Sequence, residues 1–562
     1  MYEQIRSLPT KDQVEQITER LVGINSINGT YGEIEVVEEI YQILRGFPYF
    51  QKHPSHVWLQ KVPQDPLGRV NLFAYVGGHT QSKKTILYHA HIDTVGIEDF
   101  GFLKEQAFSP GSLLHYYRSY ASREEVRGDA QSGNWMFGRG ALDMKSGAAV
   151  HIANVLYFSE HQEELPGNIL LVINGDEESE HRGITSALSE LQRLKEGRNL
   201  EYVLAINTDF VTPLYDGDQQ KYIYTGTAGK LLPSFSIFGR EVHVGDTLAG
   251  IDPNYIAAKL TERLHNNYQL TEKIPGEQVL PPTCLQQRDT KERYTVQTAA
   301  SSRLYFNYFI YESTPEDVLS LLVKETEKIC EHVEQYFQQQ YNHYSMITSL
   351  PERKLSWNIE VSTYEQYVKE LEKRGIETRS IIESVLDENP RLELRELCFL
   401  IVRALREADT REQARVILFF APPFLPHNFL KNDNDRDRQI QMSLTSILAE
   451  MEAETGEIFS VKKFFPYLAD GSFLSIHETE EQLSSLLDNM PEWEQLYRIP
   501  FDAIRQFDIP SINMGVYGKD GHKWSERVYK PYSFVTLPEL IRKTTKRFLN
   551  ERQNIDSPFI SK

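Results

Sequence analysis

The sequence predicts an α/β fold interrupted by a smaller α+β module. Three observations predict it. Short runs that are apolar at consecutive positions alternate with helical patterns up to residue 207, the patterning changes style near Gly229, and buried-type strands return late in the chain. Runs without polar alternation fit a sheet covered on both faces, which is the signature of an α/β layer structure.

Taken in order, Thr10 with Gln13 and Thr30 with Glu33 have the spacing of helix capping boxes. Each precedes a one-faced apolar stripe, first Val14, Ile17 and Leu21, then Val36, Val37, Ile40 and Leu44, so two helices are expected before residue 46. Strands are expected at NLFAYV (71–76), KTILYH (84–89), NILLVIN (168–174) and EYVLAIN (201–207). The polar stretch 97–137, rich in Gly, Ser and Tyr, reads as an inserted loop region. From Gly229 the pattern becomes strand (230–244, alternating), helix (252–267), strand (302–311), a long helix from Pro315 capped by Thr314 and Asp317, and strand SWNIEV (356–361). RVILFFAPPF (415–424) and SINMGVYG (511–518) read as strands of the resumed first domain, after a charged helical stretch at 364–410. The expected division is therefore 1–228, an inserted module 229–362, and a return over 363–562.

The bulk numbers fit a globular protein of two domains: 562 residues, 40% hydrophobic and 25% charged. A formal charge of −20 without a Lys/Arg cluster argues against nucleic acid or an anionic membrane as partner. Three scattered cysteines, Cys284, Cys330 and Cys398, make neither a disulfide framework nor a CxxC pair. With no signal-like N-terminus and no long apolar run, a cytoplasmic location is expected.

The chemistry-bearing residues gather at strand ends. His91 and Asp93 follow KTILYH, and on an extended chain they point the same way, so Asp93 can hold the far nitrogen of His91. GRGALDMKSG (138–147) places Asp143 among glycines. NGDEESEHRG carries Asp176, Glu177 and Glu178, INTDF carries Asp209, and GHKWSE carries His522. Singly, each is a common turn, cap or solvated residue. Together they are an imidazole and carboxylate set at the carboxyl ends of strands, where open α/β sheets place their sites. Such a set suits zinc, or less specifically cobalt or manganese, and it is large enough for two ions sharing a carboxylate.

The order HxD, GRGxxDMKxG, DEE, a further acid and a late His resembles the co-catalytic zinc aminoacylase and carboxypeptidase family, which includes succinyl-diaminopimelate desuccinylase and peptidase T. The resemblance runs over nearly the whole chain. It implies a zinc-peptidase-like three-layer catalytic domain with an inserted ferredoxin-like lid that dimerises. It makes His91, Asp143, Glu178, Asp209 and His522 metal ligands, with Asp143 bridging two divalent ions. His91 and Asp209 would complete one ion's shell, and Glu178 and His522 the other's. Asp93 would orient His91, Glu177 would be the general base, and His89 an inner-strand residue. His243, in FGREVHVG, matches the lid histidine that stabilises developing charge on the substrate. Two cations about 3.5–4 Å apart lower the pKa of a shared water from about 15.7 toward neutrality.

Three features depart from the family pattern: Asp209 where many members have Glu, the stretch 97–137 between the first two ligands, and the absence of an arginine-bearing pattern in RLYFNYF. ILFFAPPFLPH and FFPYLADGSFLS resemble the late segments of a long bacterial member tied to arginine utilisation. The expected activity is therefore metal-dependent hydrolysis of an amide bond in a small N-acyl amino acid or short peptide. The rival expectation is a catalytically silent relative used for binding or assembly, against which every mechanistic residue being present counts. A structural zinc protein is disfavoured because such sites are closed and Cys-rich.

Overall fold

The computed structural model describes residues 1–550 apart from 275, 352, 356, 357, 432 and 468. It divides into two compact units, Met1–Thr227 with Asn428–Ile476 and Pro500 onward, and Ala228–His427 with His477–Ile499.

The first unit is built on eight strands: β1 (Val57–Lys61), β2 (Val70–Gly77), β3 (Lys84–His91), β4 (Asn168–Asn174), β5 (Glu201–Asn207), β6 (Gln220–Tyr224), β7 (Ile458–Lys462) and β8 (Ser511–Asn513). Their order in the sheet is β1-β2-β4-β3-β5-β8-β6-β7. β4, β3, β5 and β8 run parallel at the centre, while β2 pairs antiparallel with β4 and with β1. Every position of β4 is buried, as a strand covered on both faces requires. Helix Lys145–Glu160 is buried almost all round, and its apolar residues join Ile169, Leu171 and Ile173 in the main core.

The helix starts differ from expectation. Helix Thr10–Val22 begins at Thr10 itself, after Pro9, with no side-chain cap. Helix Gly32–Arg45 also lacks one, because Glu33 turns inward to accept the amides of Gly29 (2.7 Å) and Asp176 (3.0 Å) and to meet Arg69 (3.0 Å). The apolar stripes behave as expected: Val14, Ile17 and Leu21, and Val36, Val37, Ile40 and Leu44, are all buried.

The stretch 97–137 is not a loop region. It forms a 3-10 segment (Glu98–Gln106), helices Pro110–Arg118 and Glu124–Ser132, and strand Trp135–Phe137. Phe100, Leu103, Leu113, Tyr117, Val126, Trp135 and Phe137 give it a core of its own, hidden in the sequence because they are spread thinly among polar residues.

The second unit holds a smaller sheet, ordered Thr283–Asp289, Ser301–Ile310, Pro233–Phe238, Ala414–Phe420, Ile359–Thr363. The strand expected at 302–311 forms as Ser301–Ile310, its burial alternating along most of its length, and the helix Pro315–Thr348 has the full Thr314/Asp317 capping box. The strand expected over 230–244 splits into Gly229–Leu231 and Pro233–Phe238, and His243 lies beyond it. The expected 364–410 helical stretch forms three helices, Tyr364–Lys373, Thr378–Glu388 and Leu394–Ala408. The first two residues of SWNIEV lie outside the described residues; the strand begins at Ile359. The expected return to the first domain at 363 is late. Ala414–Phe420 pairs with Pro233–Phe238 and Ile359–Thr363, so the second unit runs on to His427. A fully apolar strand reads alike in either sheet, and only its partners decide.

No helix among the described residues is long and apolar enough to cross a membrane. One buried histidine sets an acid limit. His151 stacks on Tyr88 (4.6 Å, 18°), and burial pushes its ring down to about 3. The unfolded chain, with a ring near 6.5, therefore binds the extra proton between pH 6.5 and 3. Stability should fall as pH drops through that window, by up to about 1.4 kcal/mol per pH unit. His151→Leu should flatten that slope in urea melts at pH 7 and 5; an unchanged slope would assign the acid sensitivity elsewhere.

Candidate metal centre

Because β3, β4, β5 and β8 are parallel, their carboxyl ends line one edge of the sheet. His91 is the last residue of β3. β4 ends at Asn174, and Asp176 turns the chain out of the sheet at φ 67°, presenting Glu177 and Glu178. Asp209 follows β5, and His522 sits in the loop after β8. Asp143 comes from the stretch that leads into helix Lys145–Glu160.

These residues converge. Asp143 Oδ1 lies 3.1 Å from His91 Nε2, and its Oδ2 lies 2.7 Å from His522 Nε2. His522 Nε2 is also 3.1 Å from Glu178 Oε1. Two groups capable of holding an ion result, His91/Asp143/Asp209 and Asp143/Glu178/His522, with one ligand atom of each member within 4.8 Å of the others. Asp143 is common to both. Asp93 stands 3.4 Å from His91 Nδ1 and accepts the amides of Glu177 (3.1 Å) and Glu178 (3.0 Å), so it pins the acidic loop together beside the histidine.

The charges are crowded. Burial and then the Asp143 carboxylate push Asp209 and Glu178 upward. Burial, with Glu178, Asp470 and Asp209 outweighing His91, holds Glu177 well above the usual carboxyl range. Against burial, hydrogen bonds to Asp143 and Glu178 push His522 up to about 12, and Glu177, Asp143 and Asp93 raise His91. Buried like charges at this spacing are stabilised by cations. Glu177 Oε1 is buried with no hydrogen-bond partner.

His89 is an inner-strand residue, its Nε2 2.7 Å from Asn174 Oδ1. His243 belongs to the second unit, where it is exposed and its Nδ1 accepts the Gly245 amide at 3.0 Å.

Several supporting residues escaped the sequence reading. Glu526 accepts the amides of Gly140 (2.8 Å), Leu142 (3.1 Å) and Asp143 (3.3 Å) and pairs with Arg139, fixing the stretch that carries Asp143. Asn28 donates to Asp93 (2.9 Å). Asp470, which lies within 4.8 Å of Glu177 together with His181, is engaged by His181 Nδ1 (2.8 Å) and Asn174 Nδ2 (2.6 Å). Glu526 lay inside the quoted GHKWSE, four residues from His522 on the same loop; Asp470 carried no local signal.

Residues 87–211, which span His91, Asp93, Asp143, Glu177, Glu178 and Asp209, match Peptidase family M20/M25/M40. The chain is 54% identical to Protein RocB of Bacillus subtilis (strain 168) over 548 residues, 98% of this chain and 97% of that protein. It is 32% identical to the uncharacterized protein YqjN of the same organism over 550 residues, 97% of this chain and 98% of the other. Among solved structures it is similar to a tripeptidase from Staphylococcus aureus, with a TM-score of 0.51 at 16% identity over 96% of this chain and 99% of that one. The large mixed sheet and separate smaller sheet are the fold of that group. By near-full-length likeness to RocB, and by the match across its strand-end residues, the chain belongs to the M20/M25/M40 peptidase family.

Proposed function

We propose that the protein is a two-metal hydrolase that cleaves an amide bond in a small N-acyl amino acid or short peptide, in the cytoplasm and in the service of arginine utilisation. One observation carries the reading: the two oxygens of Asp143 face two separate groups of candidate ligands, one fully buried and one opening to the surface through His522. His91 and Asp209 would hold one divalent ion with Asp143, and Glu178 and His522 the other; zinc suits this donor set, with cobalt or manganese as substitutes. When bound, the ions supply Lewis acidity to a carbonyl oxygen and acidify water.

The chain's own residues do the rest. Glu177, with one buried oxygen free of partners, is placed to take a proton from water and deliver it to the leaving amine. Asp93 holds His91 in one orientation and, through two amides, fixes where Glu177 stands. The resemblance assigns His243 to the carbonyl oxygen as its charge develops, supplied through a homodimer of the second unit. His243→Ala should lower kcat with metal content unchanged; loss of metal instead would move the residue into the ligand set.

The test is elemental analysis of protein purified without chelator and re-soaked in zinc, followed by a screen of N-acyl amino acids and dipeptides. Close to two ions per chain and turnover of one substrate class supports the reading. No retained metal would overturn it in favour of a binding or assembly role.

A further inference from the structure

Residues 97–137 supply none of the candidate ligands, yet they fold into a module with its own core. The outgoing strand of this module, Trp135–Phe137, pairs antiparallel with Arg527–Tyr529, with Phe137 opposite Arg527 and Trp135 opposite Tyr529. Arg527–Tyr529 pairs in turn with Gly518–Lys519, and the loop between those two short strands carries His522. Asp520 (φ 58°) and His522 (φ 62°) both hold a left-handed backbone, uncommon for residues other than glycine and fixed here by the contacts around the loop.

The module does the fixing. Arg123 donates to Asp520 Oδ2 (3.3 Å) and Ser525 Oγ (3.0 Å), and the Tyr117 hydroxyl donates to the Trp524 carbonyl. The fully buried Arg527 reaches Asp129 (2.8 Å) and Glu125 (3.2 Å) in the module and Asp520 (2.6 Å) in the loop. The Trp524 ring packs on Tyr117 and Tyr120 at 5.5 and 5.2 Å. The same strand runs directly from Phe137 into the stretch that ends at Asp143. There Glu526, next to Arg527, accepts three amides and its own carbonyl accepts from Gly138. One small sheet thus joins the backbone of Asp143 to that of His522.

We infer that the 97–137 module is a brace that sets His522 against Asp143, with Arg123 and Tyr117 as its positioning residues. Its consequence for metal binding rests on the two-metal reading; the brace itself does not.

The test is the double variant Tyr117→Phe/Arg123→Ala, compared with wild type and with Arg123→Lys. In metal-free protein, amide exchange across 520–526 should accelerate about tenfold while 176–182 stays unchanged, a local opening rather than global loss. In zinc titrations one of two binding steps should weaken about 10–100-fold and the other should hold. Arg123→Lys, which keeps a cation on Asp520, should restore most of it. Unchanged exchange at 520–526 would overturn the brace, as would equal weakening of both zinc steps, which general destabilisation would cause. If wild-type protein binds no zinc, the two-metal reading falls, and the exchange measurement alone decides the brace.

Discussion

Glu177→Gln is expected to keep both metal ions and to lower kcat by about 10²–10⁴-fold, the span of a lost general base. Glutamine has the volume of glutamate, and Glu177 belongs to neither group of ligands that share Asp143. Its main-chain amide, bonded to Asp93, is untouched by the change, so the acidic loop keeps its place. What disappears is the capacity to accept and release a proton at the oxygen that lacks any other partner. Elemental analysis with single-turnover kinetics on the substrate found in the screen separates the outcomes. Wild-type turnover with full metal content would remove Glu177 as the base. A fall in metal content with the activity would make it a ligand instead.

Much of the first unit was legible because its central strands are apolar at consecutive positions and end abruptly at polar residues. β4 and β5 begin and end where the runs NILLVIN and EYVLAIN do. The same property pointed to the candidate centre, since His91, Glu178, Asp209 and His522 come at or after the ends of such strands while Asp143 stands ahead of a helix, and the structure brings all five together with Glu177 and Asp93. Long-range partners were illegible. Glu33 has the local spacing of a capping residue, yet its carboxylate is claimed by Arg69 and by the amide of Asp176, far off in sequence. Asp470 sits in an unremarkable DGS turn sequence, and only the fold sets it on His181. The 97–137 module misled for a physical reason as well: a small core needs only a handful of aromatic and aliphatic residues, and composition averages them away. Strand Ala414–Phe420 was recognised as a strand but placed in the wrong sheet, because burial on both faces erases the alternation that would name its neighbours.

Asp143→Asn is expected to be the most damaging conservative change in the chain, reducing retained zinc from two ions to one or none. The wild-type carboxylate offers one oxygen toward His91 and the other toward His522. Asparagine keeps the shape but turns one of those oxygens into an NH₂ group, which donates hydrogen bonds and cannot bind a cation. Whichever way the amide faces, one group of candidate ligands loses its shared member, and the half-buried Glu178 or buried Asp209 beside it keeps its crowding without the compensating ion. Because a metal supplies several kcal/mol of transition-state stabilisation, kcat/KM should fall by about 10³-fold or more. Backbone placement should survive, since Glu526 holds the Asp143 amide rather than its side chain. An Asp143→Asn protein that still retained two ions per chain would show that the carboxylate does not bridge them, and the two groups of ligands would have to be treated as independent sites.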